Sequence, residues 1–285
     1  MSDLGAIITA MVTPFDADGR IDDGAAVALM HFLLNNGSDG VVIAGTTGEG
    51  SSLQDEEHLG LIDLAVGEVG GQMTVIASTG SNDTRHAVAL TERATELGAD
   101  GILSVAPYYV RPNRRGMVRH YQEIAKATDK PVILYNIPVR TGIDIPNDLC
   151  AELAQIEHID ALKQARSTDV AMVDGLALYA GNDEMVCDVL ELGGAGGICV
   201  ASHLVGKEMR RMVDEPEHRR EIDASLHEIY EAMGVTTNPI PVKKALALCG
   251  HQVGGLRLPL VEADEEETAA IAGALTRHGL LQAAR

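Results

Sequence analysis

The chain has 285 residues, and its 42 acidic side chains outnumber its 22 lysine and arginine side chains, giving a formal charge of −20 at pH 7. This charge repels nucleic acids and acidic membrane surfaces, so we expect neither as a partner. Trp is absent and Phe occurs twice, which argues against a function that stacks bases on aromatic rings. Scarce lysine beside abundant acid fits both a salt-adapted surface and a coding bias toward arginine.

Short apolar runs typical of strands alternate with amphipathic stretches typical of helices along most of the chain. The predicted strands are 6–11, 41–44, 74–78, 101–105, 132–135, 159–163, 176–180 and 197–200. The predicted helices are 23–36, 54–69, 84–97, 115–128, 146–155, 168–174, 182–192 and 207–213. Eight strands alternating with helices predict a parallel (β/α)8 barrel, and an open doubly wound sheet is the rival fold.

From about residue 218 this alternation ends. Three helical segments follow, at 218–233, 242–249 and 262–278, joined by turns that contain Pro and Gly. We therefore predict a barrel carrying the active site over residues 1–217 and a C-terminal helical region over residues 218–285.

The chain-wide features indicate a cytoplasmic protein. The opening residues Met1–Gly5 lack a basic leader, and no apolar run approaches the ~18 residues that a membrane span needs. The four cysteines are widely spread, which favours reduced thiols. The ten histidines form no HxH or HExxH pair, and the run Gly193–Gly197 lacks a GxGxxG spacing and predicts a tight turn instead. We expect neither a metal nor another cofactor.

Unusual polar residues fall where predicted strands end. The second strand leads into Gly45–Gly50 and the fourth into Pro107-Tyr108-Tyr109, while the fifth ends at Tyr135 and the sixth at Lys163. Catalytic groups of a (β/α)8 barrel gather at the carboxyl ends of its strands. These residues are therefore expected on one rim.

Lys163 follows the apolar run 159–162. An amine buried there loses hydration, which lowers its pKa and leaves some free amine to attack a ketone. The alternative is a lysine at a strand end that reaches solvent. The phenol of Tyr135 is a candidate proton donor and acceptor for this amine, and a core tyrosine with a satisfied hydroxyl is its alternative.

Two segments are candidates for binding anions. Gly45–Gly50 can turn backbone N–H groups and threonine hydroxyls toward an anion, but no Lys-Ser/Thr follows, which disfavours a nucleotide P-loop. Its alternative is a tight turn before a helix capped by Ser51 or Ser52. Arg140 can hold a carboxylate with its planar fork, or can be an ordinary solvated arginine.

These segments resemble the pyruvate-dependent class I aldolase family that includes dihydrodipicolinate synthase and N-acetylneuraminate lyase. The matching segments are Gly45-Thr46-Thr47-Gly48-Glu49, Pro107-Tyr108-Tyr109, Tyr135-Asn136-Ile137-Pro138, Arg140-Thr141-Gly142, Lys163, Gly181, Gly197-Ile198-Cys199-Val200 and Asn238-Pro239-Ile240-Pro241-Val242-Lys243. The resemblance implies that Lys163 forms a Schiff base with pyruvate and that the derived enamine adds to an aldehyde. Tyr135 then moves protons at the reacting carbon.

The resemblance also implies a proton relay and an assembly. Thr46 links Tyr135 to Tyr109, and Tyr109 comes from the neighbouring subunit across a tight dimer interface. The implied assembly is a homotetramer of such dimers.

Four further residues bind substrate by the same resemblance. Thr47 binds the carboxylate of pyruvate, and Arg140 binds the carboxylate of the aldehyde, L-aspartate-4-semialdehyde. Gly181 and Ile198 line the site through their backbone carbonyls. The implied function is 4-hydroxy-tetrahydrodipicolinate synthesis in the biosynthesis of lysine and diaminopimelate.

Two other functions stay open. A catabolic aldolase acting on a sugar acid, such as N-acetylneuraminate or 2-keto-3-deoxygluconate, would share the Schiff-base residues, although Arg140 favours the synthase. A non-catalytic paralogue acting as a sensor is the second. The chain departs from common synthase sequences at Gln164-Ala165-Arg166, where an acidic residue often follows the lysine, and at Val110 after the tyrosine pair.

Regulated members of the family bind lysine at the dimer interface. The matching positions here are Asp55, His58, Asn82, His86 and Tyr108. His86 stands where an acidic residue usually meets the ammonium of the inhibitor. We therefore expect weak or absent inhibition by L-lysine.

Overall fold

A computed structural model describes residues 4–281 of the chain. Eight parallel strands close into a barrel in chain order, and β8 pairs with β1. The strands are β1 (Ile7–Ala10), β2 (Gly40–Ile43), β3 (Thr74–Ser78), β4 (Gly101–Val105), β5 (Val132–Asn136), β6 (Ile159–Gln164), β7 (Ala177–Ala180) and β8 (Gly196–Cys199). The closed barrel confirms the predicted (β/α)8 fold and makes the open sheet wrong. Residues 1–3 and 282–285, at the outer ends of the two predicted regions, lie outside the description.

Helices cover the outside of the barrel and continue beyond it. They are α1 (Asp23–Asn35), α2 (Asp55–Val69), α3 (Thr84–Glu96), α4 (Arg114–Lys126), α5 (Pro138–Thr141), α6 (Asn147–Leu153), α7 (Val186–Glu191), α8 (Ser202–Asp214), α9 (Arg219–Met233), α10 (Ile240–Leu248) and α11 (Glu265–Arg277). The last three are the expected C-terminal helices, and α9 packs against α8 while α11 packs against α9 and α10.

The strands are buried on both faces, as parallel strands in α/β folds are. Ile8, Leu103, Ile133 and their neighbours fill the barrel, while the alternate strand residues, such as Ile7, pack outward against the helices. Because successive strand residues point to opposite faces, each short apolar run supplies both layers.

Two local predictions were wrong. Residues 168–174 form no helix but a loop, in which Asp169 has a left-handed φ of 55° and its carbonyl accepts hydrogen bonds from Arg166 and Asn147. Helix α2 is capped by neither Ser51 nor Ser52. Its N-cap is Gln54, whose N–H donates to the Glu57 carboxylate at 3.0 Å.

None of the helices formed within residues 4–281 is long and apolar enough to span a membrane.

Candidate active site

Lys163 and Tyr135 face each other at the carboxyl end of the barrel. They are register partners on adjacent strands β6 and β5. The Lys163 Nζ atom lies 4.4 Å from the centroid of the Tyr135 ring. Both side chains are buried, with 5% and 6% of their surface exposed. Of the two alternatives for Lys163, the solvent-reaching strand end is therefore wrong.

Burial shifts the two pKa values in opposite directions. Desolvation lowers the pKa of Lys163 to about 8, the Arg140 charge acts in the same direction, and the Asp183 charge opposes it. Desolvation also raises the pKa of Tyr135 to about 12, against the charge of Arg140 and a side-chain hydrogen bond with Thr46. At neutral pH the site therefore keeps the phenol protonated and makes free amine accessible.

A cavity of about 320 Å³ opens above the two side chains. From the ends of the strands it is lined by Thr46, Thr47, Tyr135, Arg140, Lys163, Gly181, Asn182, Asp183 and Glu184, and from the C-terminal region by Tyr230, Met233, Gly234 and Asn238. Ile198, which was expected to line the site through its carbonyl, is buried and is not among the lining residues. The cavity thus joins both predicted regions of the chain.

The turn Gly45–Gly50 carries two threonines in different surroundings. Thr47 is buried and its Oγ1 accepts a hydrogen bond of 3.0 Å from Asn238, whereas Thr46 is exposed. The N–H groups of Glu49 and Gly50 close the turn onto the carbonyls of Thr46 and Gly45. Those of Thr47 and Gly48 meet no acceptor among residues 4–281. Thr47, which lines the cavity, therefore has an unpaired N–H group of the kind that an anion site uses.

Arg140 lies on the single-turn helix α5, directly after β5. Its side chain is exposed, lines the cavity and donates to the Asn238 carbonyl at 3.3 Å. This contact uses one nitrogen of the guanidinium, which leaves other donors available for a carboxylate.

Asp183 is a buried carboxyl that the sequence analysis missed. It accepts hydrogen bonds from the N–H groups of Val200 at 2.8 Å and Ala201 at 3.0 Å. Burial raises its pKa to about 6 against these two bonds. Its position just after β7 is a signal that the strand-end criterion could have used.

Tyr109 does not reach the cavity of its own chain. Its side chain is 87% exposed, its φ is 69°, and its N–H donates to the Thr141 carbonyl at 3.0 Å. The structure thus brings together Lys163, Tyr135 and Thr46 but leaves Tyr109 on the surface.

A second cavity of about 370 Å³ lies beside the first. The two share walls formed by Thr46, Tyr135 and Arg140. Four of the five candidate effector residues line it, namely Asp55, His58, His86 and Tyr108, whereas Asn82 does not.

Two histidines of the second cavity have defined partners. His86 Nε2 lies 3.0 Å from the Asp55 carboxylate. His58 Nε2 is 2.8 Å from the carbonyl of Ser78, and burial lowers the pKa of His58. Residues 4–281 contain no group of three His, Cys, Asp or Glu side chains placed to hold a metal ion.

A buried lysine amine with a lowered pKa at the carboxyl end of a closed (β/α)8 barrel is what a class I, Schiff-base-forming aldolase requires. The model of the dihydrodipicolinate synthetase family matches residues 3–278. The chain belongs to this family, which confirms the resemblance found in the sequence.

Known relatives align with this chain over almost its whole length. The 4-hydroxy-tetrahydrodipicolinate synthase of Desulforamulus reducens is 42% identical over 279 residues, covering 93% of this chain and 94% of the relative. The solved structure of the Cyanidioschyzon merolae enzyme with lysine bound aligns with a TM-score of 0.94 and 39% identity, over 99% of this chain and 100% of that one. The solved structure of the Acinetobacter baumannii dihydrodipicolinate synthase complexed with pyruvate aligns with a TM-score of 0.93 and 34% identity. The alignment covers 98% of this chain and 100% of that one.

Proposed function

We propose that the protein condenses pyruvate with L-aspartate-4-semialdehyde to give 4-hydroxy-tetrahydrodipicolinate, in the biosynthesis of lysine and diaminopimelate. The observation that carries this proposal is the buried amine of Lys163, with a pKa of about 8, over the ring of Tyr135. Relatives about 40% identical over nearly their full length carry the name of this synthase.

The chemistry begins with the free amine of Lys163, which attacks the ketone carbon of pyruvate. Loss of water gives the Schiff base, and loss of a methyl proton gives the enamine. The enamine carbon forms the new bond to the aldehyde carbon of the second substrate, whose oxygen takes up a proton. Tyr135 is placed to carry these protons, and Thr46 is its hydrogen-bond partner.

Ring closure releases the enzyme. The amino group of the semialdehyde attacks the imine carbon and displaces the Lys163 nitrogen, which regenerates the free amine. No oxidant, reductant or metal is needed to balance these steps.

Two anion sites orient the substrates. The unpaired N–H of Thr47 and its hydroxyl bind the carboxylate of pyruvate near Lys163. Arg140, at the mouth of the same cavity, binds the carboxylate of the semialdehyde. Gly181 lines the cavity together with Lys163.

The catalytic unit is a dimer, and two dimers form a homotetramer in the cytoplasm. An exposed apolar surface supports the dimer: Tyr108, Tyr109, Val110 and Val139 are 38%, 87%, 54% and 88% exposed. Apolar patches of this kind mark contact surfaces between proteins. Across this surface Tyr109 of one subunit completes the relay of Tyr135 and Thr46 in the other.

The test compares kcat/KM for L-aspartate-4-semialdehyde with kcat/KM for N-acetylmannosamine or glyceraldehyde. Both the parent enzyme and Arg140→Ala are measured. With L-aspartate-4-semialdehyde the loss of a bidentate contact costs about 2–4 kcal/mol, a fall of roughly 30- to 1,000-fold. Arg115→Ala is the matched control, since Arg115 is exposed and lines neither cavity.

Two results would contradict the substrate assignment. One is an unchanged kcat/KM in Arg140→Ala. The other is a parent enzyme that prefers N-acetylmannosamine or glyceraldehyde as the aldehyde, which would indicate the sugar-acid aldolase instead.

A further inference from the structure

A buried ion pair ties the turn Gly45–Gly50 to helix α10, and neither of its residues lines the two cavities. Lys243 Nζ of helix α10 lies 2.7 Å from Oε1 of Glu49, and both side chains are at most 2% exposed. The same ammonium donates to the Gly255 carbonyl at 2.7 Å and lies 4.2 Å from the centroid of the Phe15 ring.

The second oxygen of Glu49 is also held by the C-terminal region. The N–H of Arg257 donates to Oε2 of Glu49 at 2.9 Å. The guanidinium of Arg257 binds the Glu57 carboxylate and donates to the Ser52 carbonyl at 2.9 Å. Lys243 and Arg257 thus both bind the Glu49 carboxylate of the turn, and Arg257 also binds the start of helix α2.

The backbone of Glu49 has a conformation that favours glycine. Its φ of 54° is left-handed, which few residues other than glycine adopt without strain. Glu49 is also the residue whose N–H closes the turn onto the Thr46 carbonyl. A large charged side chain in a glycine-favouring position is best explained by what its carboxylate contacts.

Stability alone explains this pair poorly, because well-packed apolar residues often stabilise a protein as much as a buried ion pair does. The pair does fix geometry. Glu49 is two residues from Thr47, and Asn238, which precedes α10, donates to the Thr47 hydroxyl at 3.0 Å. The C-terminal region therefore sets the position of Thr47 from two sides.

We propose that Glu49 and Lys243 are positioning residues, whose ion pair fixes the turn that presents Thr46 and Thr47 to the substrate. The proposal deepens the proposed function and rests on it. It makes the active site dependent on helix α10, far from Lys163 in sequence.

The variants are Glu49→Gln, Lys243→Met and the double variant. The control is Arg210→Met, which breaks another ion pair, to Asp39 at 2.7 Å, at the opposite end of strand β2. Kinetic constants for pyruvate, melting temperature and deuterium exchange of the 44–53 segment are measured for each protein.

Both single variants are expected to raise KM for pyruvate and lower kcat, so that kcat/KM falls about 10- to 100-fold, the effect of a small misplacement of a binding group. Exchange in the 44–53 segment accelerates. The double variant shows the same loss as the single ones, because removing both charges does not restore the position of the turn. Arg210→Met loses thermal stability but keeps the parent kinetics and the parent exchange in this segment.

Parent kinetics in folded Glu49→Gln would overturn the proposal, as would a double variant that recovers parent activity, since the single losses would then come from a stranded charge. If Lys243→Met does not fold, Glu49→Gln decides alone, because it keeps the shape of the side chain. Borohydride trapping of the parent with pyruvate distinguishes a failure of the proposed function from a failure of the positioning role. No adduct in the parent refutes the proposed function, whereas an adduct with unaffected variants refutes only the positioning role.

Discussion

The amine of Lys163 and the ring of Tyr135 are 4.4 Å apart on neighbouring strands, and one physical cause, burial, acts on both. It lowers the pKa of the amine to about 8 and raises that of the phenol to about 12. Between these values the amine is mostly free to attack while the phenol keeps a proton to give. The pair is therefore prepared for carbonyl chemistry without a cofactor.

The pH dependence of pyruvate capture follows from the lowered pKa of Lys163. At pH 7 roughly a tenth of this amine is neutral, against roughly one part in three thousand for an ordinary lysine. We expect the rate of Schiff-base formation, followed by rapid quenching with borohydride, to rise with pH through an apparent pKa of about 8. A rise that continues unchanged toward pH 10 would show that the amine is not desolvated in solution.

The buried amine also lowers the stability of the fold. Because the folded state binds its proton less tightly than the unfolded state, the cost is full below pH 8 and is relieved as pH rises toward 10.5. Lys163→Met is therefore expected to be inactive yet more stable than the parent by about 3 kcal/mol at pH 7, with a smaller difference above pH 8. Denaturant unfolding measures this, and Lys207→Met, at an exposed lysine of α8, serves as a control without such a gain. A less stable Lys163→Met protein would contradict the assigned desolvation.

Mixed assemblies test the role of Tyr109 across the dimer. Tyr109→Phe and Lys163→Met are each expected to lose most activity as pure proteins. Tyr109 is 87% exposed in its own chain, which favours a role in the partner's site. In a mixed dimer, one subunit then supplies an intact Lys163 and the other an intact Tyr109, so one of the two sites is restored. Random refolding of equal amounts then restores about a quarter of the parent sites. If Tyr109 acts within its own subunit, mixing restores nothing.

The surroundings of His86 predict weak inhibition by L-lysine. In the second cavity His86 lies 3.0 Å from the Asp55 carboxylate. The imidazole therefore already contacts the carboxylate that the ammonium group of a bound lysine would need. We expect no half-inhibition below about 1 mM, an ordinary metabolite concentration. His86→Glu, which adds a carboxylate, is expected to strengthen inhibition. Half-inhibition of the parent below this concentration would contradict the prediction.

The sequence was most informative where one short run determines one element. The eight apolar runs predicted the barrel because each must bury both faces, and the strand-end criterion found Lys163, Tyr135 and Thr46 together. The amphipathic pattern wrongly predicted a helix at residues 168–174. There, hydrogen bonds from the side chains of Arg166 and Asn147 to the Asp169 carbonyl hold a loop. No local pattern reveals such contacts.

The C-terminal contribution to the site could not be read from the sequence either. Asn238 and Tyr230 reach the cavity through the packing of helices far from Lys163 along the chain. The division into residues 1–217 and 218–285 stays a prediction, and both parts contribute walls to one cavity. The assignments of Thr47, Arg140 and Tyr109 likewise remain proposals for the experiments above.

The most direct test of the central claim is mass spectrometry of the enzyme reduced with borohydride during turnover with pyruvate and L-aspartate-4-semialdehyde. The account predicts one reduced pyruvate adduct per chain, located on Lys163 by peptide mapping and absent from Lys163→Met. Continued product formation with Lys163 unmodified would contradict it.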